Sequence, residues 1–232
     1  MCGRFANARQ ASELVEELAA TISGGAEAWR GSFNVGPGKD APILVEVPDR
    51  RLGIARFGLS SASGRLLINA RAETLASKPT FAEAAARRRC VVPATGFYEW
   101  ERTERRVPHH VHGAHGELLL LAGVYDVVHD AAGAKLTRFA IVTVAATPPL
   151  ASIHDRMPLV VPRGLLDSWL QRGELDVSSA LEAITRARPV ALAMHPVSPD
   201  VGSAANDDPH LIEPADPDKD ATGWLDFGDD ER

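Results

Sequence analysis

The sequence predicts an α+β domain: a largely antiparallel, barrel-like β-sheet with a few peripheral helices. Three observations carry that expectation. Apolar, strand-like runs separated by Gly, Pro and Asp dominate the middle of the 232-residue chain. Segments with helical apolar spacing are few and short. Strands and helices do not alternate regularly, as a parallel α/β sheet would require.

Residues 12–22 carry the first helical pattern, with Ser12 as the expected N-cap, Leu14, Val15, Leu18 and Ile22 on one face, and Gly24-Gly25 as the stop. A turn-rich loop, Phe33 to Gly38, leads into a hairpin of Ile43–Val47 and Leu52–Phe57 around Pro48-Asp49. Gly58 to Gly64 is small and polar, hence a loop, and Leu66–Ala70 is a short strand delivering Asn69 and Arg71 at its end. Thr80 with Glu83 forms the pattern of a capping box, opening a helix to about Arg88. Strand segments follow at Cys90–Val92 and Phe97–Glu101, broken by Pro93 and Gly96, then at Val107–Val111, Glu117–Val124 and Leu136–Val144. A loop-rich crossing, Ala145–Pro158, precedes helices at Leu165–Leu170 and Ala180–Arg186 and a last strand at Pro189–Met194. The expected organisation is one domain over 1–215 and a mobile acidic tail over 216–232.

An apolar fraction of 45% and a charged fraction of 24% are ordinary for a soluble globular protein. No stretch is apolar for long enough to cross a membrane, and Arg4, Arg9 and Glu13 interrupt any signal core, so a cytoplasmic, reduced environment is expected for the two cysteines. Residues 216–232 hold seven acidic and two basic residues, a net of −5, which leaves about −1 of the total −6 for the body. Arginines cluster at Arg4 and Arg9, at Arg71, at Arg87 to Arg89, and at Arg102, Arg105 and Arg106. A basic groove and scattered solvated arginines are both compatible with those counts.

The chemistry starts at Cys2. Removal of Met1 would leave an N-terminal cysteine whose amine titrates near ~7.7–8.0 and whose thiol titrates near ~8.5 before any environment acts. That pair can trap one aldehyde twice, as a Schiff base and then as a thiazolidine ring. Glu99, among the aromatics of Gly96-Phe97-Tyr98-Glu99-Trp100, is a candidate proton carrier with a raised pKa. His154, within Ile153-His154-Asp155-Arg156-Met157, suits proton exchange with a sugar oxygen near neutral pH. In Asn69-Ala70-Arg71-Ala72-Glu73-Thr74, Asn69 can hold a polar intermediate and Arg71 a phosphate. Asn34 and Pro37 form a turn whose backbone can wall a pocket. Read alone, each stretch fits an ordinary structural role better than a catalytic one. His110 and His112 would share a strand face beside His109, but the sequence places no third ligand near them, so no metal site is expected. Without a P-loop, a dinucleotide glycine fingerprint or a Gly-x-Ser-x-Gly elbow, no cofactor is expected either.

Together these stretches resemble the SRAP family, the SOS response-associated peptidases that process abasic sites. The resemblance rests on Met1-Cys2-Gly3-Arg4-Phe5, Phe33-Asn34-Val35 with Pro37, Asn69 to Thr74, and Arg89 to Ala94 running into Gly96 to Trp100. It continues through Ala122-Gly123-Val124-Tyr125-Asp126, Ile153 to Pro158 and Asn206-Asp207-Asp208-Pro209, covering about residues 2–214 in family order. It implies a single SRAP-type domain that binds single-stranded DNA at abasic sites and crosslinks to the ring-opened sugar as a thiazolidine. It also implies self-removal of Met1, hence the peptidase in the family name. Carried over, Cys2 is the nucleophile, Asn69 its polar support, Glu99 the acid/base and His154 the residue assisting ring opening and crosslink reversal. Arg4 and Arg71 match phosphate-contacting positions. The expected partner is abasic single-stranded DNA, met by a monomer in the cytoplasm or on the nucleoid, with no membrane partner.

One segment departs from the family. Typical members have Trp-Gly-Leu and a Pro- and Trp-containing loop where this chain reads Phe57-Gly58-Leu59-Ser60-Ser61-Ala62-Ser63-Gly64. Base stacking contributes about 1–3 kcal/mol per base, so weaker DNA affinity or strand separation is implied. Two rival readings are a thiol peptidase acting through Cys2 and His154, and a non-catalytic module reading modified bases.

Overall fold

Strand pairing begins at the fourth residue. The computed structural model describes residues 2–61, 64–129, 133–171 and 176–218. In chain order the elements are β1 (Arg4–Asn7), α1 (Ala11–Leu18), β2 (Thr21–Ile22), β3 (Ser32–Val35), β4 (Asp40–Glu46) and β5 (Arg50–Phe57). There follow β6 (Leu59–Ser60), β7 (Leu66–Leu67), β8 (Asn69–Arg71), α2 (Pro79–Arg87), β9 (Arg89–Ala94), β10 (Gly96–Trp100) and β11 (Pro108–Gly113). The last are β12 (Leu119–His129), β13 (Lys135–Ala145), β14 (Arg156–Pro158), α3 (Leu166–Leu170), α4 (Val177–Arg186) and β15 (Leu192–Pro196).

Antiparallel pairing runs β5–β4–β9–β12–β13, and a parallel contact of Arg138 and Phe139 with Arg56 and Phe57 returns β13 to β5. Five strands thereby close into a barrel, which leaves no free edge in that circuit. A second sheet has the order β15–β11–β10–β1–β3. The mixed α+β class and the barrel-like antiparallel sheet are as the sequence predicts.

An aromatic trio joins the two sheets. Phe5 of β1 meets Phe57 of β5 edge-on at 5.7 Å and Phe139 of β13 at 6.4 Å, while Phe57 and Phe139 stack at 5.1 Å. All three rings are fully buried in one apolar cluster with Cys2, Cys90, Phe97 and Ile141. The strand that carries the N-terminus is thus fixed to the barrel three residues after Cys2. Truncating Phe5 to Ala would cost about 3–5 kcal/mol.

Several local expectations are corrected. Helix α1 stops at Leu18 with Ala19 in the left-handed region, φ 49°, because Thr21 and Ile22 pair with Arg51 and Leu52 of β5 instead. Ile22 is accordingly exposed. Ser12 lies inside α1, and the N-terminal amide of Gln10 is held at 2.8 Å by the Glu13 carboxylate. In α2 the N-cap is Lys78 with Pro79 in the first turn, and Glu83 pairs with Arg88 at 3.1 Å rather than closing a box with Thr80. β9 runs through Pro93; β4 meets β9 only at Val91, so the missing N–H falls where one side of β9 carries no ladder. The 58–64 stretch contains half of a small hairpin, β6 with β7, although residues 62 and 63 lie outside the description. The final strand lies two to three residues later than expected. Of the acidic tail, residues 219–232 lie outside the described residues; Asp218, near its start, pairs with Arg105 at 2.7 Å.

Candidate active site

Four side chains distant in sequence meet at the end of the second sheet. Cys2 precedes β1, Asn69 opens β8, Glu99 sits near the end of β10, and His154 lies between β13 and β14. β8 pairs in parallel with β13, Asn69 opposite Ile141, which sets Asn69 beside the barrel rim. Its amide Nδ2 donates to the Cys2 carbonyl at 3.1 Å, while its buried Oδ1 has no hydrogen-bond partner among the described residues. The hold on the backbone fixes the residue that bears the thiol.

The Cys2 thiol is fully buried, and burial first, then the negative charge of Glu99, pushes its pKa far above the usual thiol range. The sulfur therefore rests as S–H. Glu99 is buried as well, and loss of solvent raises its carboxyl from 4.5 to about 6. Its Oε2 lies 3.8 Å from His154 Nε2. Desolvation, the leading cause, lowers the His154 pKa. Burial thus moves the acid up and the imidazole down, bringing two values that ordinarily stand apart toward each other, so that a proton can be exchanged between the two groups.

Backbone contacts orient His154. Its Nδ1 lies 3.0 Å from both the N–H and the carbonyl of Arg156. When Nδ1 accepts from the Arg156 N–H, the ring proton sits on Nε2, the nitrogen that faces Glu99. Arg156 is itself fixed by a two-pronged ion pair with Glu73, Nη1 at 2.5 Å and Nη2 at 2.9 Å, and by the Thr143 carbonyl at 2.6 Å. Arg102 closes the other side through a short ion pair with Asp155. These supporting residues lie inside the sequence stretches singled out above, but no spacing rule links Glu73 to Arg156 across 83 positions. A cleft of about 590 Å³ opens at His154 and Arg102, also lined by Glu101 and His109. A larger, mainly apolar cavity of about 1020 Å³ lies between α4 and β14 and contains none of the four residues.

The other candidates fall in two places. Arg71 is exposed at the end of β8 and makes no hydrogen bond or ion pair among the described residues. Pro37 is exposed. Arg4 and Asn34 belong to an inner clasp instead. Arg4 donates to Asn34 Oδ1 at 2.8 Å and to the Gly202 carbonyl at 2.9 Å. The fully buried Asn34 amide donates to the carbonyls of Ser203 and Asn206, both at 2.9 Å, and of Val201 at 3.3 Å. A Cβ at Gly36 would stand 3.2 Å from the Arg4 guanidinium, so a side chain there would press on this clasp. Of the arginine clusters, Arg89 is buried, with its guanidinium on the Trp169 and Ala85 carbonyls, and Arg88 pairs with Glu83 and Asp126. Those two do not contribute to a basic groove.

The chain has relatives among known proteins. The family described as SOS response associated peptidase (SRAP) matches residues 1–204. Abasic site processing protein YedK of Escherichia coli is 31% identical over 92% of this chain and 100% of its own length. YoqW of Bacillus subtilis, carrying the same description, is 29% identical over 92% of this chain and 99% of its own. Among solved structures, a protein from Bacteroides thetaiotaomicron superposes with a TM-score of 0.78 at 20% identity, covering 92% of this chain and all of that one, which shows a shared fold.

Proposed function

This chain belongs to the SRAP family, and from that premise we propose that it captures abasic sites in single-stranded DNA as a covalent thiazolidine on Cys2. The convergence of Cys2, Asn69, Glu99 and His154 is the observation that carries the reading. The curated relatives, named as abasic site processing proteins, imply a DNA-associated role.

Loss of Met1 frees the Cys2 amine. As the ring C–O bond breaks and the aldehyde forms, His154 gives its Nε2 proton to the sugar ring oxygen and takes up the proton that leaves the anomeric hydroxyl, ending as it began. The amine then adds to the aldehyde carbon, forming a C–N bond and a carbinolamine. Protonated Glu99 gives its proton to the departing hydroxyl, so water leaves and a protonated imine remains, its nitrogen keeping one hydrogen. The Cys2 sulfur closes on the imine carbon; the C–S bond forms, the C=N electron pair returns to the nitrogen, and the thiol proton passes to the Glu99 carboxylate, restoring the acid. Amine, aldehyde and thiol thus become one thiazolidine and one water. A thiol held as S–H cannot compete for the first attack, which orders the steps amine first. Asn69 fixes the Cys2 backbone throughout, and reversal runs the same sequence backwards. Exposed Arg71 supplies a guanidinium for a DNA phosphate. The protein acts as a monomer in the cytoplasm, with Met1 removed by its own site.

Purified protein, shown by intact mass to lack Met1, is incubated with an abasic oligonucleotide and run on a denaturing gel. A stable shifted band that Cys2→Ser abolishes is expected. Reversible, salt-sensitive binding indifferent to Cys2→Ser would overturn the covalent reading, and peptide turnover without DNA would favour a thiol peptidase.

A further inference from the structure

We propose that His110, His112 and His195 form a binding site for a divalent transition cation, zinc foremost, on the sheet face opposite Glu99. The pairing register assembles it. Glu99 stands opposite His109, and Tyr98 opposite His110, so successive histidines of β11 point to opposite faces. His110 pairs in turn with His195 of β15, and His112 lies two residues on, on the same face as His110. The expectation of no metal site rested on the lack of a third ligand; β15, from 83 positions further along, supplies it.

The three rings form a tight triangle, with centroids 5.3 to 5.5 Å apart. One nitrogen from each lies within 4.8 Å of the others. The centre of a triangle of that side is about 2.8 Å from each corner, so modest side-chain rotation reaches a zinc–nitrogen bond of ~2.0–2.1 Å. Two rings are already oriented as ligands. His112 Nδ1 donates to the Gly113 carbonyl and His195 Nε2 to the Ile212 carbonyl, both at 2.9 Å. A carbonyl only accepts, so each proton sits on the bonded nitrogen, leaving lone pairs on His112 Nε2 and His195 Nδ1. A backbone carbonyl on the far ring nitrogen is the usual support of a metal-bound imidazole.

His110 supplies the second, independent observation. It is 5% exposed, and neither ring nitrogen has a hydrogen-bond partner among the described residues. A buried polar atom left so is costly, and a cation would satisfy one of the two. The site is built around this ring: a Cβ at Gly96 would stand 2.1 Å from His110 Nε2. Three imidazoles select a borderline cation such as zinc over magnesium or calcium, which prefer oxygen. Bound there, the ion would tie edge strand β15 to β11, and β15 leads directly into the residue 201–206 segment that holds Asn34 and Arg4.

The test uses full-length protein carrying Cys2→Ser, which removes the competing thiol, titrated calorimetrically with zinc chloride at neutral pH. One equivalent is expected to bind, and His112→Ala, at a half-buried position, should lower the affinity at least 100-fold. Cobalt(II) should give the visible bands of a four-coordinate ion, absent in His112→Ala and in His195→Gln. Circular dichroism reports whether each variant is folded, and zinc should raise the melting temperature of the parent only. A parent that binds no zinc, variants that bind it as the parent does, or binding abolished by His154→Ala instead would overturn the proposal.

Discussion

Replacing Glu99 by Gln separates its effect on stability from its effect on chemistry. The side chain is 3% exposed, and burial lifts its carboxyl from 4.5 to about 6. At ~1.36 kcal/mol per pH unit, the ionised form is penalised by about 2 kcal/mol in the folded protein relative to an ordinary carboxylate. The sign follows from the raised value. Below about pH 4.5 the carboxyl is neutral in both folded and unfolded states, and no penalty exists. As pH rises through about 6 the folded protein alone must give up a proton it holds more tightly, and stability falls. Gln has no such dependence. Glu99→Gln should therefore match the parent in thermal stability near pH 4 and exceed it by about 2 kcal/mol near pH 8, some 4–8 °C for a chain of this length. Crosslinking should move the other way, slowing ~10²–10⁴-fold as the proton carrier is lost. Melting curves across pH and single-turnover gel assays on the same preparations read both quantities. A stability gap that stays flat across this range, or crosslinking at the parent rate, would refute the reasoning.

Asn34→Ala removes bonds to three backbone carbonyls and the acceptor for Arg4, so urea unfolding should show a loss of about 2–4 kcal/mol, and a loss below about 0.5 would mean the clasp is dispensable. His154→Ala should slow release of the captured oligonucleotide more than its capture, measured by chase with unlabelled competitor; equal release rates would remove His154 from reversal. Arg71→Ala should weaken DNA binding with little regard to sequence and reduce the salt slope by ~0.7, whereas an unchanged slope would show that no phosphate sits there.

Much of the fold was legible because its signals are local. The hairpin of β4 and β5 is written in apolar runs on either side of Pro48-Asp49, and the long strands β12 and β13 in stretches rich in Val, Leu and Ile. What escaped was set by partners far away. Residues 21 and 22 continue a helical pattern, yet β5 captures them as a strand. Thr80 and Glu83 have capping-box spacing, but Lys78 and Pro79 start α2 first. At the site, Cys2, Asn69, Glu99 and His154 were individually unremarkable, and only their joint occurrence in family order marked them. His195 gave no signal of its own, since its neighbours in the triangle are chosen by the register of β11 against β15.

Only Gly3 stands between Cys2 and the first residue of β1, a strand that is paired on both sides and pinned by Phe5. Such a short tether has no slack. One inserted residue would swing the sulfur to the wrong side of the sheet, and anything left attached to the Cys2 nitrogen would block the amine on which the proposed capture depends. Affinity handles and fluorescent labels therefore belong at the opposite end of the chain.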